Sequence, residues 1–131
     1  MVEKDNKWGV INRKGKIKIN PHFSNLIYDG DYYMCEKDDW WGWCDASGKY
    51  LINPQYDAVK AFNGNKLAPA KDGYTYDWGF VDKKGVWAIN PQFDNVSSFQ
   101  SNGLAMAQIG DDWGLIDKKG KWVVNPQYEE M

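Results

Sequence analysis

Apolar and polar positions alternate along this chain in short runs, and the runs recur. Near the end, Trp113, Leu115 and Asp117 alternate with Gly114 and Ile116. A period of two places the two sets on opposite faces of a strand. Asp117-Lys118-Lys119-Gly120 then reads as a turn. The Asp side chain accepts at its first position, and Gly takes the left-handed conformation that closes many hairpin loops. The chain returns as a second strand over Lys121 to Val124, with Trp122 and Val124 on one face. Asn125-Pro126 is expected to stop that strand, because Pro has no N–H to donate and restricts the residue before it. A third strand precedes the Trp-Gly pair at Leu104-Ala105-Met106-Ala107. Helical periodicity is nearly absent.

The same pattern is written four times. Trp8-Gly9, Trp41-Gly42, Trp78-Gly79 and Trp113-Gly114 follow one another at spacings of 33, 37 and 35 residues. The turn glycines Gly15, Gly48, Gly85 and Gly120 keep those spacings, and so do Asn20-Pro21, Asn53-Pro54, Asn90-Pro91 and Asn125-Pro126. Asn12 to Gly15, Asp45 to Gly48 and Asp82 to Gly85 fill the turn slot. Ile17 and Ile19, Tyr50 and Ile52, and Trp87 and Ile89 fill the return strand. The preceding strand recurs at Leu67 to Ala70 and Tyr32 to Cys35, with Met1 to Lys4 as a stub. Pro69 suggests an edge or a bulge in the third copy. The linking stretches, such as Phe93 to Phe99, carry aromatic anchors that should fold back onto the core. A period of this size denotes a repeat architecture, in which each unit buries its apolar face against its neighbours.

The predicted fold is all-β. One domain, 1–131, holds four tandem three-stranded antiparallel meanders, over about 1–29, 30–65, 66–102 and 103–131, in an elongated stack or solenoid. A small propeller-like closed ring is the alternative, although propeller blades usually carry four strands. Trp8, Trp41, Trp78 and Trp113 are expected as core anchors along one seam; the competing reading is an exposed stacking row. Gly9, Gly42, Gly79 and Gly114 are expected where another backbone or ring comes close on the face opposite Trp.

Trp-Gly, an apolar pair, Asp, Lys-Lys-Gly, then Asn-Pro-Gln and an aromatic such as Phe93 or Tyr128: this succession resembles the bacterial WG-containing repeat family, from Trp8 through Tyr128. The resemblance implies a β-rich fold, a bacterial setting and signature residues that are structural rather than catalytic. It implies accessory or surface-associated roles and little biochemistry. Departures from the repeat point more directly to a site. The second copy reads Trp40-Trp41-Gly42-Trp43-Cys44, the first has His22 where the others have Gln55, Gln92 and Gln127, and the third carries the insertion Tyr74-Thr75-Tyr76. Alternation puts Trp41 and Trp43 on one face of their strand and Trp40 on the other. Tyr32, Tyr33, Trp40, Trp43, Tyr74 and Tyr76 are the candidate ligand-binding residues. Such rings can stack on a sugar or a peptide, or cage a quaternary ammonium; the plainer reading is core and rim.

Composition narrows the function classes. With 131 residues the chain can bury a real core. A formal net charge of −2 and a pI near 5.3 argue against a nucleic-acid binder. No stretch approaches the roughly 20 apolar residues of a membrane helix. The start does not read as a signal peptide, which leaves the compartment open: cytoplasmic, or surface-exposed or secreted if a leader was removed. Arg13, Lys14, Lys83, Lys84, Lys118 and Lys119 would line one edge if units stack in register. Solvated turns are the plainer account of that edge.

One His and two Cys are too few to call for a metal or cofactor, and none is expected. If the turn before Trp41 centres on Asp39-Trp40, Cys35 and Cys44 face each other and a disulfide can form. If it centres on Asp38-Asp39, Cys35 faces Gly42 and the pair is offset. No Ser/His/Asp set, paired-carboxylate motif or phosphate loop is visible, so no enzymatic activity is expected. The expected function is a noncatalytic module that binds a protein or peptide. A carbohydrate or cell-wall module using the aromatic cluster is one alternative, and a structural spacer another. An unpaired sheet edge would also permit an edge-mediated homo-oligomer.

Overall fold

The computed structural model describes the backbone of residues 2–4, 7–11, 17–29 and 32–128, and the side chains of residues 4, 23–29 and 32–127. The turn expected from Asn12 to Gly15, with Arg13 and Lys14, lies outside the described residues, as do the side chains of Trp8 and His22. The described residues form strands and no helix, and so no helix long and apolar enough to cross a membrane.

Four antiparallel sheets follow one another in chain order. The first holds β1 (Val2–Lys4), β2 (Lys7–Ile11) and β3 (Ile17–Phe23). The second holds β4 (Asn25–Tyr28), β5 (Tyr33–Lys37), β6 (Trp40–Cys44) and β7 (Tyr50–Tyr56). β8 (Ala58–Val59), β9 (Ala68–Lys71), β10 (Trp78–Val81) and β11 (Trp87–Phe93) form the third. β12 (Asn95–Val96), β13 (Ala105–Ile109), β14 (Asp112–Ile116) and β15 (Trp122–Tyr128) form the fourth. The three-stranded meander is present in every sheet. In the last three, the linking stretch adds a short outer strand: β4, β8 or β12. Leu26 and Val96 bury one apolar side chain each from these additions.

Alternation decides which residues meet across the stack. Cys35 and Cys44 pack with Phe23 and Leu26 between the first and second sheets. From the other face of β5 and β6, Met34 and Trp43, joined by Ile52 and Tyr56 of β7, meet Ala68, Ala70 and Val81 of the third sheet. Trp78, Phe80, Ile89 and Phe93 then meet Ala105, Ala107 and Ile116 of the fourth. Large residues on one sheet oppose alanines on the next, which lets the layers interdigitate. The repeated Trp positions are not uniform: Trp78 is buried, whereas Trp41 and Trp113 are half-buried.

Asn-Pro does not end the return strand. β7, β11 and β15 continue through it to the aromatic residue. The register shows how. Trp41 pairs with Tyr56 but Trp43 with Ile52, and the same irregularity recurs at Trp78↔Phe93 and Phe80↔Ile89. Between these pairs one residue of one strand faces three of the other, so the segment carrying Pro bulges out of the ladder, where its missing N–H is tolerated. Gln55 and Gln92 stabilise the bulge by donating from Nε2 to the carbonyls of Asn53 and Asn90, both at 3.2 Å. The bulge also accounts for the Trp-Gly glycine. A Cβ on Gly79 would lie 2.5 Å from the Ile89 carbonyl oxygen and 2.7 Å from the Pro91 nitrogen. Trp-Gly and Asn-Pro are therefore two halves of one contact.

The hairpin turns follow the expected chemistry. Asp45 Oδ1 accepts from the backbone N–H of Ser47 and Lys49, Asp82 Oδ1 from Lys84 and Val86, and Asp117 Oδ1 from Lys119 and Lys121. Gly48, Gly85 and Gly120 close these turns with φ of 89°, 81° and 82°. Hydrogen bonds from Ser47 hold the Asp45 carboxyl below its usual range, and bonds from the Lys121 and Lys119 backbone do so for Asp117. Pro69 is neither on an edge strand nor at a bulge: it lies in β9, between β8 and β10 and in register with Phe80. Its carbonyl accepts from Lys60 N–H. The N and C=O of a strand residue point to the same side, so its missing N–H faces the end of two-residue β8, and no bond to β10 is lost.

Hydrogen bonds one repeat apart tie the sheets together. Asn65 Nδ2 donates to the Phe99 carbonyl (2.7 Å), Ser98 Oγ to Ala61 (2.8 Å) and the Tyr56 hydroxyl to Gly85 (3.1 Å). Burial, with Asp82 nearby, pushes the Tyr56 hydroxyl from 10.0 up to about 12. Its folded pKa is raised, so its contribution is complete below the unfolded value near 10 and is lost as pH rises toward about 12. Denaturation at pH 9 and pH 11 should therefore show about 1 kcal/mol more alkaline destabilisation in the wild type than in Tyr56→Phe. Equal losses in the two proteins would contradict this burial effect.

Candidate functional site

One open cavity of about 380 Å³ lies where the second and third sheets meet, lined by Trp40, Pro54, Gln55, Tyr56, Asp72, Tyr74 and Trp87. Four of these belong to the repeat itself. Pro54, Gln55 and Tyr56 come from the bulged end of β7, and Trp87 opens β11. The Tyr56 and Trp87 rings meet edge to face with centroids 5.5 Å apart. The next interface repeats that pair as Phe93 and Trp122 at 5.7 Å. Trp40, Asp72 and Tyr74 have no such counterparts. They convert a recurring seam into a particular groove.

Trp40 comes from the hairpin between β5 and β6. Lys37 pairs with Trp40, so the turn is Asp38-Asp39, with φ of 54° and 71°. Both central residues are left-handed, the geometry that Asn-Gly usually supplies. Trp40 opens β6 at the edge of this turn, and although alternation assigns it to the face opposite Trp43, its ring reaches over to the third sheet. Across the groove, β9 and β10 are joined by the longer loop that contains the third-copy insertion. Asp72 organises it: Oδ2 accepts from Thr75 N–H (3.3 Å) and Thr75 Oγ1 (3.0 Å), and the Asp72 carbonyl accepts from Tyr76 N–H (2.9 Å). Asp72 Oδ1 bonds to none of the described residues. The Trp40 ring lies against Gly73, where an added Cβ would come within 2.7 Å of its Cη2. Tyr74 is 91% exposed and Trp40 40% exposed, so both rings present open surface.

The six candidate rings do not form one cluster. Trp40 and Tyr74 line the groove together. Tyr76, 60% exposed with φ of 61°, is on the same loop, and Lys71 Nζ lies 5.6 Å from its ring centroid. Trp43 is fully buried between Tyr56 and Phe62, with centroids 6.0 and 5.0 Å away. Tyr33 packs against Tyr28 at 5.0 Å beside the first interface. Tyr32 is half-buried under Lys83, whose Nζ is 5.0 Å from its ring. The other groove residues, Pro54, Gln55, Tyr56 and Trp87, carry no mark in the sequence beyond their repeat role. Asp72 is marked only by its place before the insertion.

The cysteines resolve the turn question. Cys35 faces Gly42 and Cys44 faces Tyr33, the offset arrangement, and both are free thiols. A hydrogen bond with Cys44, and burial after it, push the Cys35 thiol well above its usual range.

A repeat of stacked meanders, each locked by Trp-Gly against a bulged Asn-Pro, defines the class of this protein. The family model for the WG containing repeat matches residues 8–33, 41–76, 78–111 and 113–131, and the chain belongs to that family. No curated protein and no solved structure matches it.

Proposed function

We propose that this WG-repeat chain is a noncatalytic module that binds a protein through an extended peptide segment lying in the groove between the second and third sheets. The observation that carries the reading is the convergence of Trp40 and Tyr74. Both depart from the repeat, they come from different sheets, and both expose ring surface in one cavity. Rigid aromatic rings give large contact area at low conformational cost, and such grooves are a recurring means of peptide recognition. Asp72 Oδ1 and the Gln55 side chain supply polar groups that can fix orientation. Strained backbone at Asp38, Asp39 and Tyr76 flanks the same groove, in keeping with the tendency of such strain to collect at functional sites. The repeated turn aspartates are occupied in holding their turns, which is why no catalytic role is assigned to them.

Collisional quenching of tryptophan fluorescence tests the reading. Subtracting the signal of Trp40→Phe from that of the wild type isolates Trp40. Peptide pools should shield Trp40 from quencher, and Trp40→Ala or Tyr74→Ala should weaken peptide binding about tenfold, Tyr74→Ala while changing stability by less than about 1 kcal/mol. Shielding by cell-wall glycans and by no peptide would replace this reading with the carbohydrate one.

A further inference from the structure

Resting on the peptide reading of the groove, we infer that its ligand is a proline-rich, basic segment in the polyproline II conformation. A second cavity, of about 230 Å³, adjoins the first and is lined by Lys37, Asp38, Trp40, Tyr50 and Pro54. The two share Trp40 and Pro54, and so form one furrow that passes the Trp40 ring. Two small lobes joined at a ring fit an extended chain better than a compact ligand.

The edge of the sheet argues against strand addition. β7 is the outer strand of the second sheet, and it is broken by the bulge at Asn53-Pro54. An incoming strand would find an interrupted ladder and a residue with no N–H to offer. Recognition must then come from ring surfaces. A polyproline II chain suits that, because it carries no internal hydrogen bonds and docks its pyrrolidine rings against aromatic side chains.

Charge selects the other half of the ligand. The two loops that rim the furrow carry Asp38 and Asp39 on one side and Asp72 and Asp77 on the other. Their cations are Lys37 and Lys71, and Lys71 already lies 3.6 Å from Asp57 and over the Tyr76 ring. The balance at the rim is acidic, and Asp72 Oδ1 is open to a donor. Arginine suits both features, since guanidinium pairs with carboxylate and stacks on aromatic faces. The Asp38-Asp39 turn adds to this. Asn-Gly would fit its left-handed backbone better, yet two carboxylates stand there.

The test is fluorescence anisotropy of a labelled synthetic peptide of about ten residues that alternates Arg with Pro-Pro. Its comparators have Glu for Arg, or Gly for Pro. The Arg-Pro peptide should bind at least tenfold more tightly than either comparator and weaken with added salt. Asp72→Asn should weaken it about threefold to tenfold and flatten that salt dependence. The double variant Asp38→Asn with Asp39→Gly should melt at a higher temperature and yet bind the Arg peptide more weakly, a combination that a purely structural role for the turn would not produce. Equal affinity for the Arg and Glu peptides, or for the Pro and Gly peptides, overturns this inference and leaves a peptide site standing. If no peptide binds, and none shields Trp40 from quencher, both this inference and the proposed function fail.

Discussion

Gly79→Ala is expected to destabilise the protein by about 3 kcal/mol or more, an effect large enough to threaten folding. The reason is space. Gly79 is not in the left-handed region, so Ala has no conformational objection to it. The added methyl would meet the Ile89 carbonyl oxygen at 2.5 Å, the Pro91 nitrogen at 2.7 Å and the Asn90 carbonyl carbon at 2.9 Å. All three atoms are backbone, so no rotamer change can clear them. The third sheet must either lose the bulge or separate β10 from β11. It also covers Trp43 on one side and Ala105 and Ala107 on the other, so its failure uncovers both neighbours. Gly64→Ala is the control. Gly64 has φ of 77° and nothing within 4 Å of a built Cβ. It should lose only about 1 kcal/mol through backbone strain. Chemical denaturation of the two variants side by side checks the contrast. Similar midpoints would mean that the close approach at Trp-Gly is not what keeps glycine there.

Gly79 also marks how far the fold could be read from residues alone. The period was legible because turn chemistry is local: Asp82 and Gly85 say where the chain reverses without help from the rest of the molecule. The need for a close approach at Trp-Gly was legible too, but its partner was not. Asn-Pro looks like a strand end because Pro lacks a donor, and only the paired register shows the strand passing through it as a bulge. In the third and fourth sheets the added outer strand escaped because Ala58–Val59 and Asn95–Val96 are too short for any alternation to show. Pro69 misled for a related reason, since a two-residue neighbour strand needs no donor from it. At the site, Trp40 and Tyr74 stood out as departures from the repeat. That they share one groove, without Tyr32, Tyr33 or Trp43, depends on how two sheets stack, and no local pattern encodes that.

Trp43 and Trp40 are near neighbours in the chain, and their truncations should have different consequences. Trp43→Ala removes a fully buried ring that touches Tyr56 and Phe62 at the centre of the second interface. The lost burial and the cavity left behind should destabilise the protein by about 3–5 kcal/mol. Trp43→Phe should be far milder than its loss of volume suggests. The Trp43 Nε1–H is buried and finds no acceptor among the described residues. A buried donor without a partner forfeits its hydration and gains nothing in return, so deleting it offsets part of the packing loss. A loss of about 1 kcal/mol is expected for Phe, against several for Ala. Trp40→Ala, which removes a ring 40% exposed, should cost less, about 2 kcal/mol, and weaken peptide binding in the groove. Thermal melts and peptide titrations of the three variants therefore separate the buried ring of this strand from its groove ring. If Trp43→Phe proves as destabilising as Trp43→Ala, the indole nitrogen has a partner that matters, and Trp43 is more than a packed ring.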